Sequence, residues 1–234
     1  MKQHISSQLK KNFSRNNENN RLPFANLMLL LLLLTVIFVL PSISLQNIYI
    51  KPIFNTGILL SAIFSLRKNQ NFLIYSGLLL TLGSWISLIL ETDTITYFLR
   101  IFQFLFFLIL VGSLIIDISK TETVTLEVIV DSVMGYLLLG FAFNLMVSLI
   151  DLWVLGSYSI DSVTDGKHVF SRPSHNIIYY TFMTFTTTGY GDIVPTCPIS
   201  KSLAILISTT GQLYPVIIIS MLVGKYNSKG NKTQ

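Results

Sequence analysis

Charged residues are scarce in this sequence, and cysteine is almost absent. Of 234 residues, 12% are Asp, Glu, Lys or Arg, and Cys197 is the single cysteine. One cysteine excludes an intrachain disulfide and a cysteine-rich metal site, and we expect a free thiol. No nucleophile–base set, phosphate-binding loop or metal-ligand cluster stands out either. The sequence therefore predicts neither enzymatic activity nor a bound cofactor.

Apolar residues dominate the composition. Hydrophobic residues make up 51% of the chain, the mean hydropathy is +0.64, and several windows exceed 18 largely apolar residues. This composition predicts an integral membrane protein. The net charge of +5 does not indicate a nucleic-acid partner, because the basic residues gather at the ends of apolar segments.

The apolar segments predict an all-α integral membrane protein with six membrane spans. The spans are 22–40, 48–66, 72–90, 95–116, 126 to about 155, and 200–223. A cleaved signal peptide competes for the first, but no small-residue cleavage site follows it. We divide the chain into a cytoplasmic polar tail, a region of four transmembrane helices, a pore domain and a short cytoplasmic tail: 1–21, 22–122, 123–226 and 227–234.

The positions of Lys and Arg test this topology. With the spans above, eleven of the 16 basic residues fall on one side of the membrane, namely five in the first tail, two after the second span, Lys120, and three after the last span. Basic residues favour the cytoplasmic side. Both termini are therefore predicted to be cytoplasmic, in a cell (plasma or inner) membrane.

The fourth span carries little charge. Arg100 is the one arginine within 95–116, whereas a voltage sensor needs several charges that move through the membrane field. We interpret Arg100 as an interfacial anchor whose charged end reaches toward the headgroups. Steep voltage gating is not expected.

One short motif organises the C-terminal part of the chain. It reads TTTGYGD over residues 186–192. Gly189 and Gly191 flank Tyr190, and glycine allows backbone φ values that a residue with a Cβ resists. An extended segment of this kind can turn successive carbonyls toward one axis, where they replace the water around a cation.

The motif and its surroundings resemble the selectivity filter and pore of potassium channels. An apolar-aromatic segment at 179–185 precedes the motif, and the last apolar span follows it. The resemblance, to bacterial-type channels with one pore domain per chain, implies an outer helix, a re-entrant pore helix, a filter and an inner helix. One filter segment provides a quarter of a pore, so a homotetramer in membrane lipid is expected.

The resemblance also implies roles for the filter residues. Thr187 would supply K⁺ with carbonyl and hydroxyl oxygens, and the next three residues with carbonyls. The predicted ion-binding set is Thr187, Thr188, Gly189, Tyr190 and Gly191, with K⁺ at the first four and Asp192 at the outer mouth.

Three pore-helix residues are predicted to support the filter: Tyr179, Tyr180 and Met183. The two tyrosines are expected to pack near the Tyr190 side chain. Met183 stands where some relatives carry a glutamate that braces the aspartate after the filter, so we expect a different brace for Asp192. Thr188 replaces the commoner valine, and its side chain is expected to face the protein behind the filter.

A gating hinge is predicted in the last span. Gly211 stands where the inner helix of such channels carries a hinge glycine. Pro215 lies four residues later, so it removes the helical hydrogen bond to the Gly211 carbonyl. A static bend, or close helix packing at a small residue, is the alternative.

Together these observations predict passive, K⁺-selective conduction, with permeant K⁺ as the ligand. Three alternatives stay open: a non-conducting accessory subunit, a subunit of an uptake transporter, and a weakly selective cation channel. The sequence assigns no role to Asp131, Asn144 or Asp151, three polar residues within the fifth span.

Overall fold

The computed structural model describes residues 24–39, 50–65, 71–90, 93–121, 124–154, 156–160 and 174–230. Within these residues the chain forms seven helices and two short strands. The helices are α1 (Phe24–Leu34), α2 (Ile50–Ser65), α3 (Asn71–Leu90), α4 (Asp93–Lys120), α5 (Leu126–Trp153), α6 (Ser174–Phe185) and α7 (Pro198–Gly230). A π-helical stretch, Thr35–Val39, continues α1, and the strands are β1 (Tyr158–Ile160) and β2 (Ile193–Pro195).

This architecture confirms the all-α prediction. Each of the six predicted spans corresponds to a helix, and α6 corresponds to the predicted pore helix. The predicted tail 1–21 lies outside the described residues. The second tail was expected from residue 227, but α7 continues as a helix to Gly230.

The helices differ in length. Among the described residues, three are long and apolar enough to cross a membrane: 94–120 in α4, 126–153 in α5 and 198–226 in α7. The other apolar stretches are shorter, at 26–39, 52–62 and 72–87. A hydrocarbon core about 30 Å thick requires about 20 helical residues. Within the described residues, the apolar stretches 26–39, 52–62 and 72–87 are shorter than this length.

The first five helices pack in a ring. α1 contacts α2, α2 contacts α3, α3 contacts α4, and α4 contacts α5, while α1 also contacts α5 and closes the circuit. The same α5 contacts α6 and α7. It therefore belongs both to the N-terminal bundle and to the C-terminal helices.

The sequence of α5 explains its central position. Thr125 caps its start by accepting a hydrogen bond from the Val128 backbone N–H. Apolar residues then cover the whole circumference of the helix, which is typical of a buried helix. Met134 and Leu138 are fully buried, and 72% of its most apolar window lies inside the chain.

Small residues set the distance between α5 and the two helices that follow it. A Cβ on Gly140 would lie 2.8 Å from the Phe182 ring of α6, and one on Gly135 would lie 2.1 Å from the Tyr214 hydroxyl of α7. Only glycine leaves room for these aromatic side chains. α5, α6 and α7 consequently contact one another and hold the segment between α6 and α7.

Candidate functional site: the segment between α6 and α7

The backbone after α6 alternates in conformation. Thr187, Gly189 and Gly191 have positive φ angles of 59°, 54° and 82°. A chain in which every second residue is left-handed can present successive carbonyls to one side. The two glycines adopt the conformations expected from the sequence. The positive φ of Thr187 was not expected, because a β-branched residue pays about 1–2 kcal/mol for it.

The end of α6 holds this backbone in place. The N–H groups of Thr186, Thr187 and Gly189 donate to the carbonyls of Phe182, Thr184 and Met183, at 2.9, 3.0 and 3.1 Å. The last carbonyls of a helix lack partners within the helix. Here the segment that follows supplies them, so the site and the helix before it form one hydrogen-bonded unit.

Side chains add further contacts at the inner end of the segment. The Thr187 hydroxyl donates to the Thr186 carbonyl at 2.7 Å, and the side-chain amide of Gln212 in α7 lies 3.4 Å from the same hydroxyl. The Ser208 hydroxyl, also in α7, donates to the Thr184 carbonyl at 3.2 Å. The inner helix therefore contacts the base of the site through polar groups that the motif did not reveal.

The hydroxyls of Thr186 and Thr188 contact each other. Their oxygens are 2.9 Å apart, and the Thr186 hydroxyl also donates to the Phe182 carbonyl at 2.8 Å. This places the Thr188 side chain toward the pore helix, on the side where the sequence led us to expect it.

Asp192 interacts with α6 and with the adjacent backbone. The Tyr179 side chain interacts electrostatically with the Asp192 carboxylate, which also accepts a hydrogen bond from the Ile193 backbone N–H at 3.1 Å. Met183 takes part through its carbonyl, which accepts from Gly189. Tyr179 thus connects the pore helix to the residue after the last filter glycine.

Tyr180 has another partner within the chain, and its packing near Tyr190 stays a prediction. Its ring packs against Tyr158, with centroids 4.9 Å apart. Consecutive helical residues point about 100° apart. Tyr179 and Tyr180 therefore face different neighbours. The Tyr190 side chain is 73% exposed in the single chain.

A two-stranded antiparallel sheet secures the outer end of the site. β2 follows Asp192 directly and pairs with β1, which follows α5; Tyr158 lies opposite Pro195 and Ile160 opposite Ile193. Next to it, the Thr196 N–H and the Ser200 hydroxyl donate to the Ser157 carbonyl at 3.0 and 2.8 Å. Strands of three residues leave no periodic pattern, so the sequence did not reveal this sheet.

Cys197 lies at the start of α7, beside the same contacts. It forms no disulfide in the described residues, and its thiol is 3.2 Å from the Ser200 hydroxyl. Hydrogen bonding with Ser200 lowers the pKa of the Cys197 thiol below its usual value. The main contribution of Ser200 is structural, since its hydroxyl joins the start of α7 to Ser157, directly before β1.

Gly211 lies against the end of the pore helix. A Cβ at this position would lie 1.9 Å from the Phe185 carbonyl oxygen. The contact gives the close-packing alternative a concrete basis. Pro215 lies inside α7, which stays helical on both sides of it. Hinge motion at Gly211 and Pro215 stays a prediction.

Asp131 belongs to a buried polar cluster that joins three helices. The Asn26 side-chain amide in α1 donates to the Asp131 carboxylate in α5 at 2.7 Å, and both residues are buried. One residue further along, the Ser132 carbonyl accepts a hydrogen bond from the Tyr214 hydroxyl in α7 at 3.1 Å. A charge at this depth requires such partners. The cluster connects α1 to α7 through α5.

The Arg100 side chain contacts α5, and its interpretation as an interfacial anchor stays a prediction. Its guanidinium donates to the Ser148 hydroxyl and attracts the Asp151 carboxylate, both on α5. A buried charge is stabilised by such polar neighbours. Asp151 thereby gains a partner in the structure, and Arg100 ties α4 to α5.

Fold and hydropathy together define an all-α integral membrane protein. Residues 148–227, from the last turns of α5 through most of α7, match the family model described as "Ion channel". This part of the chain is therefore similar to an ion channel domain, and the matched family is not an enzyme family. Comparison with the curated proteins and with the solved structures gave no match.

Proposed function

We propose that this protein is a potassium-selective channel that conducts K⁺ passively through a homotetrameric pore. The observation that carries the proposal is the alternating backbone of residues 187–191, fixed to the end of α6. Thr187, Thr188, Gly189 and Tyr190 would offer carbonyl oxygens to K⁺, and the Thr187 hydroxyl would complete the innermost site. Asp192 would lie at the outer mouth, held by Tyr179.

The surface of α7 supports assembly from several copies. Only 22% of its most apolar window is buried within the chain, and its apolar side chains are exposed on several sides, namely Ile205, Leu206, Leu213, Val216, Ile217, Ile219 and Val223. An inner helix that lines a shared pore needs neighbouring copies to cover such a surface. Four copies would place four filter segments around one axis.

The proposed topology follows the distribution of basic residues, with both termini in the cytoplasm of a cell membrane and the Asp192 end of the filter outside. Residues 22–122 would form an N-terminal region that does not sense voltage steeply. The single arginine of α4 supports this, because it is engaged with Ser148 and Asp151. We therefore expect that a stimulus other than membrane voltage opens the channel.

A pair of glycine variants tests the role of the filter backbone. Gly189 and Gly156 have φ angles of +54° and +79°, and no atom lies within 4 Å of an added Cβ at either position. Alanine therefore introduces similar backbone strain at both sites, about 1–2 kcal/mol. Gly189→Ala should reduce K⁺ flux into proteoliposomes by at least tenfold or abolish the preference over Na⁺.

Gly156→Ala serves as the control because it lies outside the proposed filter. It should retain K⁺ preference, with native mass spectrometry reporting four copies for both proteins. Equal K⁺ flux together with equal K⁺ preference in the two variants would contradict the proposed role of Gly189. A stable single copy that still conducts would contradict the homotetramer.

A further inference from the structure

The two threonine hydroxyls behind the filter form a directed chain. The Thr186 hydroxyl donates its proton to the Phe182 carbonyl at 2.8 Å. A hydroxyl has one proton to donate but can also accept. The proton in the 2.9 Å contact between the two hydroxyls therefore comes from Thr188. The two hydrogen bonds therefore run in one direction: Thr188 donates to Thr186, and Thr186 donates to the Phe182 carbonyl in α6.

A hydrogen bond from the Thr188 side chain is well placed to hold the backbone of the segment. Its two neighbours, Thr187 and Gly189, both have positive φ. Backbone in sparsely populated conformations persists only where the surroundings hold it. Below Thr188, the Thr187 N–H is held by Thr184, and at the outer end Asp192 is held by Tyr179. The Thr188 hydroxyl supplies a side-chain attachment between these two ends.

The main chain provides a second attachment at the same level. The Gly189 N–H donates to the Met183 carbonyl at 3.1 Å. The Met183 side chain has only a weakly accepting sulfur, so it offers little support of its own. The hydroxyl of Thr188 therefore stands as the polar side-chain support for the centre of the segment.

We propose that Thr188 is a positioning residue that, through Thr186, ties the centre of the filter to the pore helix and so prolongs its conducting conformation. The proposal rests on the proposed function and concerns the regulation of the same site. A valine at this position keeps the shape of the side chain but lacks the hydroxyl. It would leave the filter attached at its two ends and through the Gly189 N–H.

Hydrogen–deuterium exchange of the purified full-length protein tests the attachment directly. Thr188→Val should accelerate amide exchange over residues 186–190 about fivefold, the effect expected from losing one neutral hydrogen bond. Thr188→Ser keeps a hydroxyl and should stay within about twofold of the unmodified protein. Because Thr188 acts through Thr186, the double variant T186V/T188V should exchange no faster than T186V alone.

Recordings from the same proteins provide the functional readout. Under steady voltage, the current of Thr188→Val should decay about fivefold faster than that of the unmodified channel, and Thr188→Ser should restore the slow decay. Exchange and decay rates of Thr188→Val equal to those of the unmodified protein would overturn the proposal. Equal acceleration in Thr188→Ser and Thr188→Val would overturn it as well, since the hydroxyl would then be irrelevant.

The two claims fail in different ways. Faster exchange in Thr188→Val, together with an unmodified protein that does not prefer K⁺, would support the attachment and contradict the potassium channel. Unchanged exchange, together with a K⁺-selective unmodified protein, would support the channel and contradict the attachment. The exchange measurement requires no current, so it decides the attachment in either case.

Discussion

α5 and α7 are both long apolar helices, yet they are buried to very different extents. Within the chain, 72% of the most apolar window of α5 is buried, against 22% for α7. α5 is covered by α1, α4, α6 and α7, whereas α7 contacts α5 and α6 on one side. Hydropathy alone would treat the two helices alike. The difference supports α5 as the scaffold of the chain and α7 as the helix that neighbouring copies would cover in the proposed homotetramer.

Two leucine variants test this difference and should have the largest effect on stability. Leu138 in α5 is fully buried, whereas Leu213 in α7 is 52% exposed. Leu138→Ala should destabilise the dissociated subunit by about 2 kcal/mol or more, because it leaves a cavity. Leu213→Ala should change the same free energy of unfolding by about 0.5 kcal/mol at most.

Denaturant titration of the subunit, dissociated in detergent, measures both values. An equal loss of unfolding free energy in the two variants would contradict the difference between the helices, since α7 would then be as buried within its own chain as α5.

A second pair of variants tests where α7 packs closely against another helix of its own chain. A Cβ on Gly211 would lie 1.9 Å from the Phe185 carbonyl oxygen, whereas one on Gly224 meets no atom within 4 Å. Gly211→Ala should therefore displace the end of the pore helix, at a cost of about 1–3 kcal/mol. Gly224→Ala, in the same helix, is the control.

The readouts are the thermal unfolding midpoint and the permeability ratio of K⁺ to Na⁺. Because Phe185 directly precedes the filter, we expect Gly211→Ala to alter both. An altered open probability with unchanged stability and selectivity would instead favour a hinge over close packing.

The third prediction concerns the link between the N-terminal bundle and α5. Asn26 and Asp131 are joined by a 2.7 Å hydrogen bond and are both buried. A hydrogen bond to a charged group is worth about 1.5–3 kcal/mol. Asn26→Ala should reduce the free energy of unfolding by that amount, and less in a background that already carries Asp131→Ala.

A double-mutant cycle measures this coupling. If the losses of Asn26→Ala and Asp131→Ala simply add, the two side chains do not stabilise each other, and α1 is held to α5 by apolar packing alone.

Most of the helical architecture could be predicted from the sequence, because apolar segments of this length leave few choices in a membrane. The positive φ of Gly189 and Gly191 also followed from residue type. The hydrogen-bond partners of the polar residues could not be predicted from the sequence. Asn26 and Asp131 are 105 positions apart, and apolar residues that face lipid look like those that face another helix.

Residue type was a poor guide at Thr187 of the site, and it did not reveal the partners of Arg100 in α4. Thr187 adopts a positive φ that its β-branched side chain disfavours, since its hydrogen bonds with Thr184 and Thr186 hold it there. The sequence led us to interpret Arg100 as an interfacial anchor, and the structure adds Ser148 and Asp151 on α5 as its partners. The partners of Arg100 lie on another helix, far away in the sequence. Those of Thr187 are close in sequence but depend on the backbone conformation after α6.

The most direct test of the account is the reversal potential of the purified protein in a planar bilayer, with K⁺ on one side and Na⁺ on the other. The alternating backbone at 187–191 and the carbonyls it presents predict a reversal potential strongly displaced toward the K⁺ equilibrium potential. A current that reverses near zero would contradict a potassium-selective filter and would indicate a weakly selective cation channel instead.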